Sequence, residues 1–311
     1  MNIIPIAFAF DNNLAMPACV CISSLLLNAK EDTFYDIFIL HAKNELLDTE
    51  QLDKLPLYYK NCRITYRSVG NTFDGAFEIR GVTKPTYFRL LIPQLIPEYD
   101  KVIYADVDII FRLDLWYVYN TDIGDNYIAA TYDLGMNLGE DGQKYIKSMP
   151  ELAIGEYIQA GFVIFNSKAI LENGIIDKFL EQSKRKLKYQ DQDILNIVCA
   201  EKKYILSSVY NMTDYSFFYL VNKTELLTEQ YVMPYDEAIY CSNLHYNGHK
   251  PWKKYSTNFD VWWEYYRKSP FFDEKFYFNF FYSKLNEYDQ LSLWKRIKIL
   301  IRYFVYGKKS L

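Results

Sequence analysis

Apolar strand-like runs alternate with helix-length stretches through the first hundred residues, and this alternation restricts the fold more than any other feature of the chain. Ile3–Phe10 reads as a buried strand stopped by Asp11-Asn12-Asn13, and Asp36–His41, Arg63–Val69 and Lys101–Ala105 read as three more. Ala15–Leu27 and Glu45–Tyr59 have the length of helices, and Tyr87–Ile92 looks helical. Strands this apolar need cover on both faces, so the expected class is α/β, a mostly parallel central sheet with helices on either side. Tyr127–Tyr132 and Phe162–Asn166 continue the strand pattern, followed by a helix from about Lys168 to Tyr189. No Gly-x-Gly-x-x-Gly follows the first strand, which disfavours a standard dinucleotide dehydrogenase.

The 311 residues, 50% hydrophobic, suffice for one large domain or two small ones. With 35 basic against 39 acidic residues, the chain does not read as a general nucleic-acid binder. Aromatics reach 18%, and Tyr and Phe both fill cores and stack on sugars and bases. Five cysteines form no metal or disulfide spacing, and Cys19-Val20-Cys21 lies in an apolar stretch, so free thiols in a reducing, cytoplasmic compartment are expected. Met1–Phe10 lacks the basic flank of a signal peptide, and no apolar run approaches the roughly 18 residues of a spanning helix. Beyond Tyr204 aromatics crowd in, notably Trp262-Trp263 and Phe276–Tyr282, and are expected to wall the sheet's open end. The expected division is a catalytic domain over 1–255 and an aromatic-rich helical region over 256–311.

Three clusters could carry chemistry. Asp106-Val107-Asp108 interrupts an apolar run, Val102–Ala105 before it and Ile109–Phe111 after it. Residues i and i+2 of a strand share a face, so both carboxylates can converge on one divalent cation, whereas unpaired charges there would be costly. The triplet alone does not decide the matter: composition gives roughly one or two by chance, and Asp191-Gln192-Asp193 is another. A phosphatase of the haloacid-dehalogenase type also uses Asp-x-Asp, but usually continues to Gly-Thr, absent here. The second cluster, His245-Tyr246-Asn247-Gly248-His249-Lys250, holds two of the chain's three histidines. Imidazole can complete a carboxylate site, and Gly with Lys suits a phosphate; a turn with a structural His is the alternative. In the third, Gln190–Asn196, an Asp at a helix start is normally a cap, which accounts for one of the two acids.

In this order the clusters resemble the retaining glycosyltransferase family 8, which includes bacterial lipopolysaccharide galactosyl- and glucosyltransferases and glycogenin. The resemblance runs from Ala7–Asn13 through Thr86–Leu90, Lys101–Asp108, Ala160–Asn166 and Gln190–Asn196 to His245–Trp252. It implies the GT-A nucleotide-sugar transferase fold and transfer of glucose or galactose from UDP-glucose or UDP-galactose to a hydroxyl of a glycan or glycolipid acceptor. By the same resemblance Asp106, Asp108 and His245 match the ligands of Mn²⁺, with Mg²⁺ the alternative ion. Ala9, Asp11, Asn13 and Val107 match the nucleotide side, Arg89 a basic residue near the donor sugar, and Gly248 and Lys250 the diphosphate loop. Asp191 matches a carboxylate on the donor sugar, Gln192 the residue beneath the anomeric carbon, and Asp133 an acid near the sugar. Gln159, before Ala160, stands where relatives commonly carry Asn, and Leu14 where an aromatic is frequent, so the donor contacts are expected to differ. A non-catalytic nucleotide-sugar or glycan-binding module and a self-glycosylating protein are the rival readings.

The last segment, Trp294–Lys309, carries six basic residues and no acid. As a helix it would align Trp294, Ile297, Leu300, Ile301, Phe304 and Val305 on one face. Peripheral contact with an anionic membrane at the inner face of the plasma membrane is one expectation, and a docked helix with a solvated basic edge is the other.

Overall fold

The computed structural model describes residues 2–42, 47–79, 84–222, 240–286 and 291–306. Contacts divide the chain into one unit over Met1–Phe271 and a second over Phe272–Leu311. The first unit is built on a seven-stranded sheet in the order β3-β2-β1-β4-β7-β6-β8. Its strands are β1 (Asn2–Ala9), β2 (Thr33–His41), β3 (Cys62–Ser68), β4 (Lys101–Ala105), β6 (Ile128–Tyr132), β7 (Ile158–Asn166) and β8 (Lys203–Ile205). All run parallel except β7, which is antiparallel to both β4 and β6. Alternation on β1 sends Ile4, Ile6 and Phe8 to one face and Ala7 and Ala9 to the other, and an apolar cluster covers each face. The Ala15–Leu27 helix seals the first face, where Cys19 and Cys21 are buried as free thiols.

The order of the strands locates the site. The chain leaves β1 toward β2 and β3 on one side, and β4 returns to the other, so the crevice beyond β1 and β4 is a topological switch point. Asp11 follows the end of β1, and Asp106 follows the end of β4. Reversed β7 runs past that end: Ala105 pairs with Phe162, and the Asp106 N–H donates to the Gly161 carbonyl at 2.8 Å. A second, three-stranded sheet joins β5 (Ile109–Ile110), β9 (Met212–Thr213) and β10 (Leu244–His245). Its register sets His245 opposite Ile109 and Thr213, and the Tyr246 N–H donates to Asp108 O at 3.0 Å. Residues more than 130 positions apart are thereby brought to one place by two short ladders.

Three expectations change. The helix expected over Lys168–Tyr189 is two, Ser167–Glu172 and Ile175–Gln182, because Gly174 takes a left-handed φ of 62° between them. The Glu45–Tyr59 helix begins partly outside the described residues and shrinks to a 3₁₀ turn at Leu52–Lys54 and a helix at Leu55–Tyr58. Pro56 belongs to the first turn of that helix, since its ring and missing N–H forbid an interior position. The aromatics at 262–266 do not wall the open end: Trp262 and Tyr266 stack at 5.5 Å in the Phe259–Lys268 helix, buried against the first helix. That helix belongs to the first unit, Met1–Phe271.

The second unit holds two helices, Glu274–Leu285 and Leu293–Tyr306. Trp294 and Phe304 are exposed, while Lys308 and Lys309 lie outside the described residues. No helix of the described residues is long and apolar enough to cross a membrane.

Candidate active site

Three potential metal ligands converge beyond the end of β4. One ligand atom each from Asp106, Asp108 and His245 lies within 4.8 Å of the others, the group of this kind among the described residues. Each carboxylate spends one oxygen on a neighbour and turns the other inward. Asp106 Oδ1 accepts from Arg89 Nη2 at 2.9 Å and from the Tyr104 hydroxyl at 2.8 Å, leaving Oδ2 3.7 Å from His245 Nε2. Asp108 Oδ2 accepts from Lys250 Nζ, while its Oδ1 is buried without a hydrogen-bond partner, 3.2 Å from the same Nε2. Burial alone would raise the Asp108 carboxyl, but Lys250 and His245 outweigh it and hold the group well below the usual carboxylate range. An orphaned buried carboxylate oxygen is costly without a compensating charge. Two carboxylate oxygens and one imidazole nitrogen are a donor set that Mn²⁺ accepts, so these residues fit a resident divalent ion.

Arg89 organises the centre. It is buried, which disfavours its charge, yet Asp106 and Asp191 outweigh that and raise it. Its Nε lies 3.1 Å from Asp191 Oδ2, its Nη1 donates to the Ala160 carbonyl, and its plane sits 4.0 Å from the Tyr104 ring centroid. Asp191 is pushed up to about 6 by burial, with Arg89 and a hydrogen bond from Thr86 pulling against it. Gln192 is clamped: its Oε1 accepts from the Ala160 N–H at 3.1 Å, and its Nε2 donates to Asp133 Oδ2 at 3.0 Å. Asp133 also accepts from the Met136 N–H at 3.0 Å, and its burial raises it.

Most expected residues share one cleft of about 470 Å³, among them Arg89, Asp106, Asp108, Asp133, Gln159, Ala160, Asp191, Gln192, His245 and Lys250. A hollow of about 240 Å³ shares Arg89, Asp106, Asp108 and Lys250 with it and adds Ala9, Asp11, Leu14 and Val107. Two expected residues lie beside the cavities rather than among their lining residues. Asn13 sits on the 3₁₀ turn that Asp11 caps, its N–H donating to Asp11 Oδ1 at 2.9 Å. Gly248 backs onto Asp214: an added Cβ would stand 2.6 Å from Asp214 Oδ2.

Sequence reasoning missed Thr86, Tyr104, Gly161 and Asn211. A Cβ on Gly161 would collide with His245 Cε1 and stand 2.8 Å from Asp106 Oδ2, so only glycine lets β7 pass this close. Asn211 Oδ1 lies 2.8 Å from His245 Nδ1. No spacing in the sequence signals Asn211, because the contact depends on the β9–β10 pairing.

Known proteins are similar to this chain in sequence and fold. A profile of glycosyl transferase family 8 matches residues 5–256. A Haemophilus influenzae protein is 29% identical over 68% of this chain, which spans 63% of that relative's length. The lipopolysaccharide 1,2-glucosyltransferase of Escherichia coli is 24% identical over 81% of this chain and 74% of its own. Among solved structures, the galactosyltransferase LgtC in complex with donor and acceptor sugar analogues superposes with a TM-score of 0.69 and 28% identity, over 88% of this chain and 98% of that one. The fold is therefore of the GT-A glycosyltransferase type. The match over most of the chain shows that this protein belongs to glycosyl transferase family 8.

Proposed function

We propose that the protein is a metal-dependent, retaining hexosyltransferase that moves glucose or galactose from a UDP-sugar to a hydroxyl of a cell-envelope glycan or glycolipid. One observation carries this reading: two inward-turned carboxylate oxygens and an imidazole nitrogen meet in the same cleft as Lys250, Arg89, Asp191 and Gln192. The names of the E. coli relative and of LgtC make glucose and galactose the first donors to try.

Asp106, Asp108 and His245 would hold the divalent ion, Mn²⁺ by preference, which when bound neutralises charge on a diphosphate leaving group. The hollow containing Ala9, Asp11 and Val107 has room for the nucleoside, with Asp11 accepting from a ribose or base donor. Lys250 and Arg89 present fixed positive charge where the glycosyl–phosphate bond breaks, the kind of preorganised contact worth about 3 kcal/mol of barrier when one is removed. Asp191, ionised above about pH 6, accepts from sugar hydroxyls and favours positive charge on the sugar ring. Gln192 supports the same face, its amide fixed by Ala160 and Asp133. The acceptor enters through a neighbouring hollow of about 370 Å³ that shares Asp133, Tyr189 and Asn247 with the cleft and adds Tyr215. The catalytic machinery then lies in residues 1–255, and within 256–311 the Leu293–Tyr306 helix, with its exposed Trp294 and Phe304, serves contact with an anionic membrane surface. UDP release from UDP-glucose or UDP-galactose, with and without Mn²⁺, tests the activity.

A further inference from the structure

Four groups form a hydrogen-bonded chain whose direction is fixed at one end by the backbone. The Gly161 N–H points at Gln159 Oε1, 2.5 Å away. A backbone N–H can only donate, so the Gln159 atom facing it must be the carbonyl oxygen. The same Oε1 lies 2.7 Å from Asn211, whose facing atom must then be the NH₂ group. That places Asn211 Oδ1 on the other side, 2.8 Å from His245 Nδ1, and an amide oxygen there requires Nδ1 to carry the proton. Thr131 Oγ1, 3.2 Å from Asn211 Nδ2, takes the second amide hydrogen. Asn211, Gln159 and His245 are all buried, so water does not compete for these positions.

Two consequences follow. With the proton fixed on Nδ1, Nε2 is the nitrogen left to ligate a cation, and it is the atom that faces the Asp106 and Asp108 oxygens. Gln159, its oxygen spent on Gly161 and Asn211, offers the cleft only its NH₂ group.

We propose that Asn211 is a positioning residue that sets two groups at once: the tautomer of the metal ligand His245 and the donor-only polarity of Gln159 toward the sugar. The proposal rests on the metal-binding reading given above, and it makes Asn211 the link between cation affinity and choice of sugar. A group that orients a ligating histidine typically changes metal affinity by about 10–100-fold when lost.

The experiment begins on the wild-type protein without metal or donor. Imidazole nitrogen NMR on a chain with three histidines reads the His245 tautomer directly, assigned with His245→Ala. The expected result is a proton on Nδ1; a ring protonated on Nε2 alone overturns the proposal. Titration with Mn²⁺ alone, followed by electron paramagnetic resonance of the free ion, comes next. Asn211→Ala is expected to bind Mn²⁺ at least ten-fold more weakly than wild type. Asn211→Asp keeps an oxygen for His245 Nδ1–H but no donor for Gln159, and is expected to hold Mn²⁺ within a few-fold of wild type. The same variant should change the ratio of UDP-glucose to UDP-galactose turnover while leaving UDP inhibition unchanged. Wild-type Mn²⁺ affinity in Asn211→Ala, or equal loss in both variants, contradicts the role of Asn211. Absence of Mn²⁺ binding by the wild type contradicts the metal reading instead, and the tautomer still decides the hydrogen-bond chain.

Discussion

The Asp193 carboxylate accepts the Tyr189 N–H at 2.8 Å and so closes the turn that carries Asp191 and Gln192 into the cleft. Gln190, in the middle of that turn, has a positive φ of 45°, uncommon for a residue with a side chain. The two hydroxyls of Tyr145 and Tyr157, at 2.6 and 2.5 Å, complete the shell of fully buried Asp193. Asp193 is thus the structural acid of the Asp191-Gln192-Asp193 triplet, and Asp191 the one that faces the cleft.

Asp193→Ala removes one acceptor from three donors, each costing about 1–3 kcal/mol when left buried and unpaired. Urea unfolding should show a loss of at least about 2 kcal/mol, with UDP affinity retained in the folded fraction and turnover reduced. Unchanged stability would mean the shell does not hold the turn.

Gly161→Ala tests how closely β7 passes the ligands. The added methyl has no room beside His245 Cε1 and Asp106 Oδ2, so Mn²⁺ affinity and turnover should both fall by more than ten-fold. Gly174→Ala is the control: nothing lies within 4 Å of its Cβ, and only the strain of its φ, about 1 kcal/mol, is expected.

The acid limb of the rate profile should report Asp191. Its carboxyl, pushed up to about 6 by burial, takes a proton as pH falls through 6, so kcat at saturating Mn²⁺ should decline below that point. The stability effect has the opposite sign. The folded chain binds this proton more tightly than the unfolded chain, so Asp191 adds stability on acidification from pH 6 toward 4 and loses it as pH rises through that window. A kcat flat from pH 8 to 5 would remove Asp191 from the ionised groups that matter.

Legibility in the sequence followed the range of the interaction. The Ala15–Leu27 helix and the Lys101–Ala105 strand are local patterns and fall where the sequence places them. Asp106 and Asp108 were readable because two charges inside an apolar run are conspicuous, and His245 because histidine is scarce. Asn211 meets His245 through the β9–β10 pairing and Thr86 meets Asp191 from 105 positions away, so no local signal marks either; Tyr104 reaches Asp106 only two residues on, but a Tyr in a buried strand is ordinary. The break at Gly174 was hidden because the apolar periodicity continues across it.

Deleting residues 293–311 should leave UDP-sugar hydrolysis largely intact and sharply reduce sedimentation with anionic vesicles in low salt. The Leu293–Tyr306 helix exposes Leu293, Trp294, Phe304 and Val305, apolar area that an interfacial helix buries. Equal sedimentation of the truncated protein would contradict membrane contact by this segment.

The most direct test of the central claim is UDP release from UDP-glucose and UDP-galactose by the wild type and by Asp108→Asn, each with Mn²⁺, Mg²⁺ or a chelator. The account predicts release by the wild type with one of the two donors, faster with Mn²⁺ than with Mg²⁺ because an imidazole nitrogen completes the ligand set, and abolished by chelator. It predicts that Asp108→Asn, folded by circular dichroism, is reduced at least 100-fold. Undiminished release in chelator, or by Asp108→Asn, would contradict the account.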